Sequence, residues 1–426
     1  MSDPSSPLRV CIDARLVSGE RGGVEQVVIG LASALSRLDD GDEQYLFLVD
    51  PGHTAWLEPF VFGPSSLLMA GPASGGSERR GAEGRLRGVV KAAVPAPVRT
   101  AIRGRLFAPG GLPESDGTIE RAGIDVLHFP MQVGFRTPIP SIFAPQDLQH
   151  LHLPQFFSRG EIARRERTYR ALCERAAIVT VMSSWGRDDI VARYGLPPEK
   201  VLVAPGAPAI EAYESPTEEG LAATRDRFGL REPFALYPAK AWPHKNHLRL
   251  VAALKLLRER GIGVPVVLTG AQRGFDAPIR AEADAWGVTD LVHFVGYVTP
   301  DELSALYRMA RVMVFPSLFE GWGLPVVEAM LAGVPVACSN ATCLPAVTGG
   351  AAELFDPAST PAIADAIAKV WQDDRLRERL VSAGRARAAL FSWGQSARIF
   401  RAAYRKLGGR ELSADDRALL AARPIV

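Results

Sequence analysis

The sequence predicts an α/β protein built from two doubly wound parallel-sheet domains. Short apolar runs of strand length alternate with longer helix-periodic stretches along most of the chain. The alternation comes as two successive sets, with no internal repeat by identity and a Pro- and Gly-containing stretch between them. At 426 residues the chain exceeds one ordinary core and suffices for two domains of roughly 200.

Composition narrows the function classes. The chain is 47% hydrophobic and 23% charged, as soluble globular proteins are. A formal net charge of +2 gives no reason to expect a nucleic-acid partner. The four cysteines, Cys11, Cys173, Cys338 and Cys343, are scattered and form no CxxC, so they are expected to be reduced core thiols. The first residues, MSDPSSPLRV, lack the basic and apolar regions of a signal peptide. No uncharged apolar run approaches the ~20 residues that span a bilayer. A cytoplasmic protein is expected, with peripheral attachment at the inner face of a membrane as the alternative.

In the first set, residues 9–13 (RVCID) open the sheet. A loop ending in Gly22-Gly23 follows, then Val24, Val27, Val28, Leu31, Leu35 and Leu38 at helical spacing. Strand, glycine loop and helix form the first half of a nucleotide-binding βαβ unit, in which backbone N–H groups can meet a phosphate. The GxGxxG fingerprint is incomplete, and a plain tight turn is the favoured reading of the glycines taken alone. Residues 45–49 are the next strand. The turn before it, Asp40-Gly41-Asp42, matches a DxD metal motif by letter but lies at the wrong end of a parallel sheet for a ligand. It reads as a solvated turn.

Residues 73–115 interrupt the pattern. They are rich in Gly, Pro, Ala and Arg and read as a variable basic surface loop, with contact to an anionic acceptor or a membrane surface as the sharper alternative. Further strands are expected at 124–129, 141–144, 178–182 and 201–204, with helices at 161–175 and 184–194. The polar stretch 145–157 (PQDLQHLHLPQFF) follows a strand end, where α/β proteins bind ligands. It holds Gln146, Asp147, His150 and His152. No acidic or sulphur ligand follows the histidines at zinc spacing, so no metal site is expected.

Residues 206–233 read as the linker, which gives domains of 1–205 and 234–392. The second set has strands at 234–238, 264–269, 291–295, 312–315, 334–338 and 352–355. The loop 239–246 (AKAWPHKN) carries Lys240 and Lys245. The stretch 315–331 (FPSLFEGWGLPVVEAML) places Glu320 and Glu328 with seven residues between them. Glu320 should lie on a glycine-bent loop after a strand, and Glu328 in the first turn or so of the following helix. Gly321 and Gly323 permit close backbone approach, Pro325 suits a helix start, and helix N-termini favour anions. Two carboxylate acceptors around an anion-friendly loop suit a ligand with both hydroxyls and phosphate. An ordinary βα unit would also place a glutamate near a helix N-terminus.

With these residues in view, the chain resembles the retaining glycosyltransferases of the GT-B group, family 4. The resemblance covers almost the whole chain and is strongest over 236–357, where PSLFEGWGLPVVEAMLAGVPVACSNATCLPAV carries the family's E-x7-E motif. It implies two Rossmann-like domains facing across a cleft, with a last helix, 393–410, that crosses back to complete the first domain. The family's basic pair falls on Lys240 and Lys245, and its glycine loop on Gly22 and Gly23. Two positions depart from the pattern. Lys240 stands where Arg is more usual, which keeps the charge but loses the bidentate fork. Gln146 precedes Asp147 where a histidine is usual, and glutamine cannot titrate.

The reaction implied is transfer of a sugar from a nucleoside diphosphate sugar, GDP- or UDP-linked, to a hydroxyl acceptor with retention. Polysaccharide, glycolipid or glycosylated metabolite synthesis, and mannosyl transfer, are the implied settings. Lys245 and Lys240 would stabilise the leaving phosphate together with backbone N–H groups near Gly22, Gly23 and Gly323, with no cofactor or metal required. Glu328 would accept the ribose hydroxyls, and Glu320 would face the donor sugar. Gly321, Trp322, Gly323 and Leu324 would line the donor, with Tyr297 and Val298 beside the base. His128, Gln146 and Asp147 would serve the acceptor. The competing classes are a GT-B epimerase or phosphorylase and a non-catalytic partner subunit. No pyridoxal-lysine context is visible, and the intact Glu320, Glu328 and Lys245 favour an enzyme.

Overall fold

The computed structural model describes residues 6–16, 23–71, 111–208, 215–231, 233–270 and 276–426. Gly22 and almost all of the basic stretch 73–115 lie outside the described residues.

The chain groups into two compact units. One comprises Met1–Thr180, Ile190–Leu202 and Ala397–Ala422, the other Val181–Asp189, Val203–Ser396 and Arg423–Val426. The sequence reading places 181–189 with the first domain. The fold assigns them to the second, where Ser183 Oγ donates to the Gly321 carbonyl at 3.3 Å and Trp185 packs edge-on against Phe319.

The first sheet contains β1 (Leu8–Asp13), β2 (Glu43–Val49), β3 (Ser65–Met69), β4 (Val126–Phe129), β5 (Ser141–Phe143), β6 (Ile178–Val181) and β7 (Val201–Val203), in the order β3-β2-β1-β4-β5-β6-β7. Register along the central strand sets Val10 opposite Tyr45 on one side and Val126 on the other. The second sheet contains β8 (Ala235–Pro238), β9 (Val266–Thr269), β10 (Val292–Gly296), β11 (Val312–Phe315), β12 (Val336–Ser339) and β13 (Glu353–Phe355), in the order β10-β9-β8-β11-β12-β13. All five of its pairings are parallel. Both sheets therefore reverse direction once, between β1 and β4 and between β8 and β11. In open α/β sheets ligands bind outside the carboxyl ends of the strands at such a reversal.

The longer helices are α1 (Gly23–Ser36), α2 (Arg159–Arg175), α3 (Ser184–Tyr194), α4 (Glu218–Phe228), α5 (His247–Glu259), α6 (Asp276–Ala285), α7 (Pro300–Met309), α8 (Leu324–Leu331), α9 (Thr360–Gln372), α10 (Asp374–Ala388), α11 (Trp393–Leu407) and α12 (Ala414–Ala421). Local chemistry sets several of the starts. Thr299 and Glu302 close a capping box on α7, Ser158 caps α2, and Ser359 caps α9. Most strands are short, apolar and buried, as parallel strands covered on both faces are, while β3, β10 and β13 are only partly covered.

From Ala397 onward α11 belongs to the first unit, where side chains fasten it to the strands. Tyr404 is fully buried, and its hydroxyl lies 2.7 Å from His128 Nδ1 on β4. Arg401 pairs with Asp40, and Arg405 pairs with Glu43 and, at 3.0 Å, with Asp416. The Asp40-Gly41-Asp42 turn is therefore part of a helix anchor as well as a solvated turn. A Cβ at Gly41 would lie 2.8 Å from Arg405 Nη2. All four cysteines are buried, as core thiols should be.

Candidate active site

The carboxyl ends of β8 and β11 carry the two motifs singled out from the sequence. After β8 the chain makes a short 3-10 turn, Pro243–Lys245, and enters α5 through Asn246 in a left-handed conformation with φ of 64°. After β11 the loop carries Glu320 and enters α8 through Gly323, whose φ is 87°. The conformation requires glycine, and a Cβ at Gly323 would also lie 2.5 Å from Leu344 Cδ2 and force that side chain to shift.

The two loops are bonded together. Lys245 Nζ lies 2.6 Å from Glu320 Oε1, and the side chains keep only 15% and 12% of their exposure. The same ammonium sits 5.1 Å from the centroid of the Phe315 ring. Leu318 N donates to the His244 carbonyl at 2.8 Å. Tyr237 Oη donates to the Lys245 carbonyl at 2.6 Å. Asn246 Nδ2 donates to the Pro316 and Pro357 carbonyls at 2.9 and 2.8 Å.

Glu320 is held through its backbone too. Thr342 Oγ1 lies 3.2 Å from the Glu320 amide and donates to its carbonyl at 2.9 Å, and Cys343 Sγ reaches the same carbonyl at 3.3 Å. Glu328 lies at the start of the second turn of α8, close to where the sequence reading put it, and is 8% exposed. Tyr307 Oη of α7 donates to Glu328 Oε2 at 2.8 Å and lies 3.3 Å from the Pro325 carbonyl. One buried carboxylate is thus oriented by a buried phenol, and the other is paired with an ammonium.

Other expected donor residues sit as follows. Lys240 lies 5.8 Å from the Trp242 ring, on the same loop as Lys245. Tyr297 is 67% exposed just after Gly296, with Val298 half-buried behind it. Gly321 and Leu324 are half-buried beside Glu320. Trp322 requires a correction. Its indole is 5% exposed, packs edge-on against Phe391, and lies where a Cβ on Gly206 would meet it at 3.3 Å. Trp322 braces the loop from inside.

In the first unit, Gly23 opens α1 with nothing within 4 Å of a Cβ built on it. Gln146 has a φ of 66°, and its Nε2 donates to the Pro130 carbonyl at 2.8 Å, which ties the end of β5 to the end of β4. Asp147 Oδ1 accepts from the Gln149 amide at 3.0 Å. His128 is a second correction. It is 1% exposed and packed under Phe400 and Tyr404, and burial pushes its pKa down to about 3. No acceptor can reach it there. His150 is likewise interior, with Nε2 2.9 Å from Glu166 Oε1.

Sequence reasoning missed Tyr307, Asn246, Thr342, Cys343 and the buried pair His244 and His247. Asn246 carried a signal, because asparagine directly before a helical run is a capping and left-handed residue. Tyr307 carried none, being 21 residues from the carboxylate it serves. Burial, reinforced by the Lys245 charge, pushes His244 and His247 down to about 3. Among the described residues no group of three His, Cys, Asp or Glu is gathered for a metal ion. No described helix is long and apolar enough to cross a membrane.

Two family models match this chain. "Glycosyl transferases group 1" covers residues 224–387, and "Glycosyltransferase Family 4" covers residues 21–207. The chain belongs to the group 1, family 4 glycosyltransferases.

Its two sheets are those of the GT-B fold. Among solved structures, the Anabaena protein HepE in complex with UDP-glucose is 17% identical with a TM-score of 0.66, covering 93% of this chain and all of that one. The sucrose-phosphate synthase of Thermosynechococcus elongatus is 20% identical with a TM-score of 0.65, covering 94% and 99%. Among curated proteins, the O-antigen chain mannosyltransferase B of Escherichia coli is 30% identical over 58% of this chain and 65% of its own length. The MMP alpha-(1->4)-mannosyltransferase of Mycolicibacterium hassiacum is 31% identical over 58% of this chain and 57% of its own. The chain thus covers less than two thirds of either relative.

Proposed function

We propose that this family 4 chain transfers a sugar, mannose in the first instance, from a GDP- or UDP-sugar to a hydroxyl acceptor with retention, in polysaccharide, glycolipid or metabolite synthesis. The observation that carries the reading is the Lys245–Glu320 pair at the carboxyl ends of β8 and β11. It sets a cation for phosphate beside a carboxylate for sugar hydroxyls at the point where the strand order reverses. The mannosyltransferase names of the two curated relatives support the sugar.

Chemistry follows from charge. The bond from the anomeric carbon to the diphosphate breaks, and negative charge grows on the leaving oxygen. Lys245, aided by Lys240, stabilises it, with backbone N–H groups at the start of α8 as further donors. This assigns the phosphate charge to the protein's own groups, with no metal. Glu328, held by Tyr307, accepts the ribose hydroxyls, and Glu320 orients the sugar. The acceptor oxygen bonds the anomeric carbon from the face the diphosphate leaves, and its proton passes to the departing phosphate. Acceptor contacts are assigned to the loop holding Gln146 and Asp147, whose fixed backbone can present them.

Calorimetric titration with GDP, UDP, ADP and TDP, with and without magnesium, tests the reading. Binding of one nucleotide, unchanged by magnesium, is expected. No binding by the folded protein would overturn it in favour of a non-catalytic subunit, and binding only with magnesium would overturn the metal-free assignment.

A further inference from the structure

We propose that Asn246 is a positioning residue that sets Lys245 against Glu320, an inference that rests on the transferase reading above for its kinetic part only. Asn246 is 4% exposed and is one of three non-glycine residues with positive φ among those described. Asparagine adopts that conformation more readily than other non-glycine residues, and here its surroundings also hold it there. The surroundings here are explicit. Both amide hydrogens of Nδ2 are aimed at carbonyls, Pro316 at 2.9 Å and Pro357 at 2.8 Å. Oδ1 accepts from Arg249 Nη1 at 3.0 Å.

The placement of the two carbonyls gives the residue its role. Pro316 directly follows β11 and lies four residues before Glu320, and Pro357 follows β13. Asn246 itself directly follows Lys245 and opens α5. One side chain thus joins the ends of three strands, and the residue before it carries the cation. The Lys245 backbone is held on its other side, where its amide donates to the Trp242 carbonyl at 2.9 Å and its carbonyl accepts from Tyr237. The remaining freedom of Lys245 is in its side chain, aimed at Glu320.

No other side chain can replace Asn246 at this point. Leucine or alanine would lose the bonds and strain the backbone. Glycine would suit the conformation but leave two carbonyls without their donors. Aspartate would keep shape and turn preference but set a carboxylate against two carbonyl oxygens. Each variant lets the loop after β8 drift from the loop after β11. A misplacement of about 1 Å costs on the order of 100-fold in rate where geometry is at stake.

Two readouts separate a positioning role from a merely structural one. The first needs no activity. Lysine acylation by acetic anhydride, quantified by mass spectrometry, should find Lys245 slow in the wild type because it is paired and 85% shielded by difference from its 15% exposure. In Asn246→Gly and Asn246→Asp the rate at Lys245 should rise several-fold while lysines of the first unit, such as Lys200 and Lys406, stay unchanged. The second is the split between binding and turnover, with hydrolysis of GDP-mannose or UDP-glucose, in which water takes the sugar and nucleoside diphosphate leaves, as the probe reaction. Asn246→Gly should lower kcat by about 10- to 100-fold while affinity for the free nucleotide, which Glu328 shares with Lys245, falls by a clearly smaller factor. Assays run well below the variant's unfolding midpoint remove simple instability as the cause. Unchanged Lys245 acylation in both variants, or a fall in kcat matched by an equal fall in nucleotide affinity, would overturn the proposal. A wild type that turns over neither donor would count against the transferase reading and leave the acylation test of Asn246 intact.

Discussion

Lys245 Nζ and Glu320 Oε1 lie 2.6 Å apart although 75 residues separate them, and both side chains are largely shielded from solvent. The pair has a functional consequence. On the function proposed, a diphosphate arriving at Lys245 competes with Glu320, which also repels it. Glu320→Gln removes the competitor and the repulsion and keeps the shape. It should therefore bind the nucleoside diphosphate about tenfold more tightly, the equivalent of ~1.4 kcal/mol, while transfer becomes slower. Calorimetry and donor turnover on one preparation check this. Binding no tighter than wild type would mean the pair does not oppose the ligand.

Tyr307 and Glu328 form the second relationship. Removing the phenol hydroxyl in Tyr307→Phe leaves a buried carboxylate short of one donor at an otherwise unchanged shape. A net hydrogen bond to a charged group contributes about 1.5–3 kcal/mol, so nucleotide affinity should fall by roughly 10-fold or more. Glu328→Ala should lose more affinity than Tyr307→Phe, and Glu320→Ala should mainly slow transfer. Equal affinities for wild type and Tyr307→Phe would separate Glu328 from the ribose.

Gly323 sets the direction in which the Glu320 loop enters α8. Gly323→Ala imposes a left-handed conformation on a residue with a Cβ, at about 1–2 kcal/mol. It also pushes that Cβ into Leu344. Urea unfolding should show a lower midpoint with an unchanged slope. A variant as stable as wild type would show that the loop can re-route.

The buried imidazoles give the fold an acid limit. His128, His244 and His247 are driven from their ordinary 6.5 down to about 3, chiefly by burial. In the unfolded chain they take up protons near pH 6.5, and in the folded one only near pH 3. The unfolded state therefore binds more protons within that window, and stability falls as pH falls through it. Scanning calorimetry should find the melting temperature dropping below about pH 6.5. His247→Gln should make that drop shallower. An identical pH dependence in the variant would remove His247 from the account.

The strands of the second unit were legible to within about two residues, most clearly β9, β11 and β12, which are buried throughout and read as continuous apolar runs. In the first unit β3 was not. Its five residues are only partly covered at the sheet edge, so the pattern is weak. The helix α12 was missed for a related reason, since its covering contact is a charged one, Asp416 to Arg405. At the site, Glu320 and Glu328 were singled out from spacing and loop chemistry, and Lys240 and Lys245 through the family resemblance. Trp322 and His128 were misassigned because an aromatic or imidazole beside a motif looks the same in sequence whether it faces ligand or core.

By itself the sequence determined the two-sheet plan, the loops that carry charge, and the family, because strand length, helix periodicity and turn residues are local properties. Only the tertiary structure decided which side chains meet. Strand order brings the end of β8 beside the end of β11, and that juxtaposition pairs Lys245 with Glu320 and lets Asn246 span three loops. It also encloses His128 beneath Tyr404, 276 residues away. Such partnerships depend on which distant elements become neighbours, and no local pattern records that.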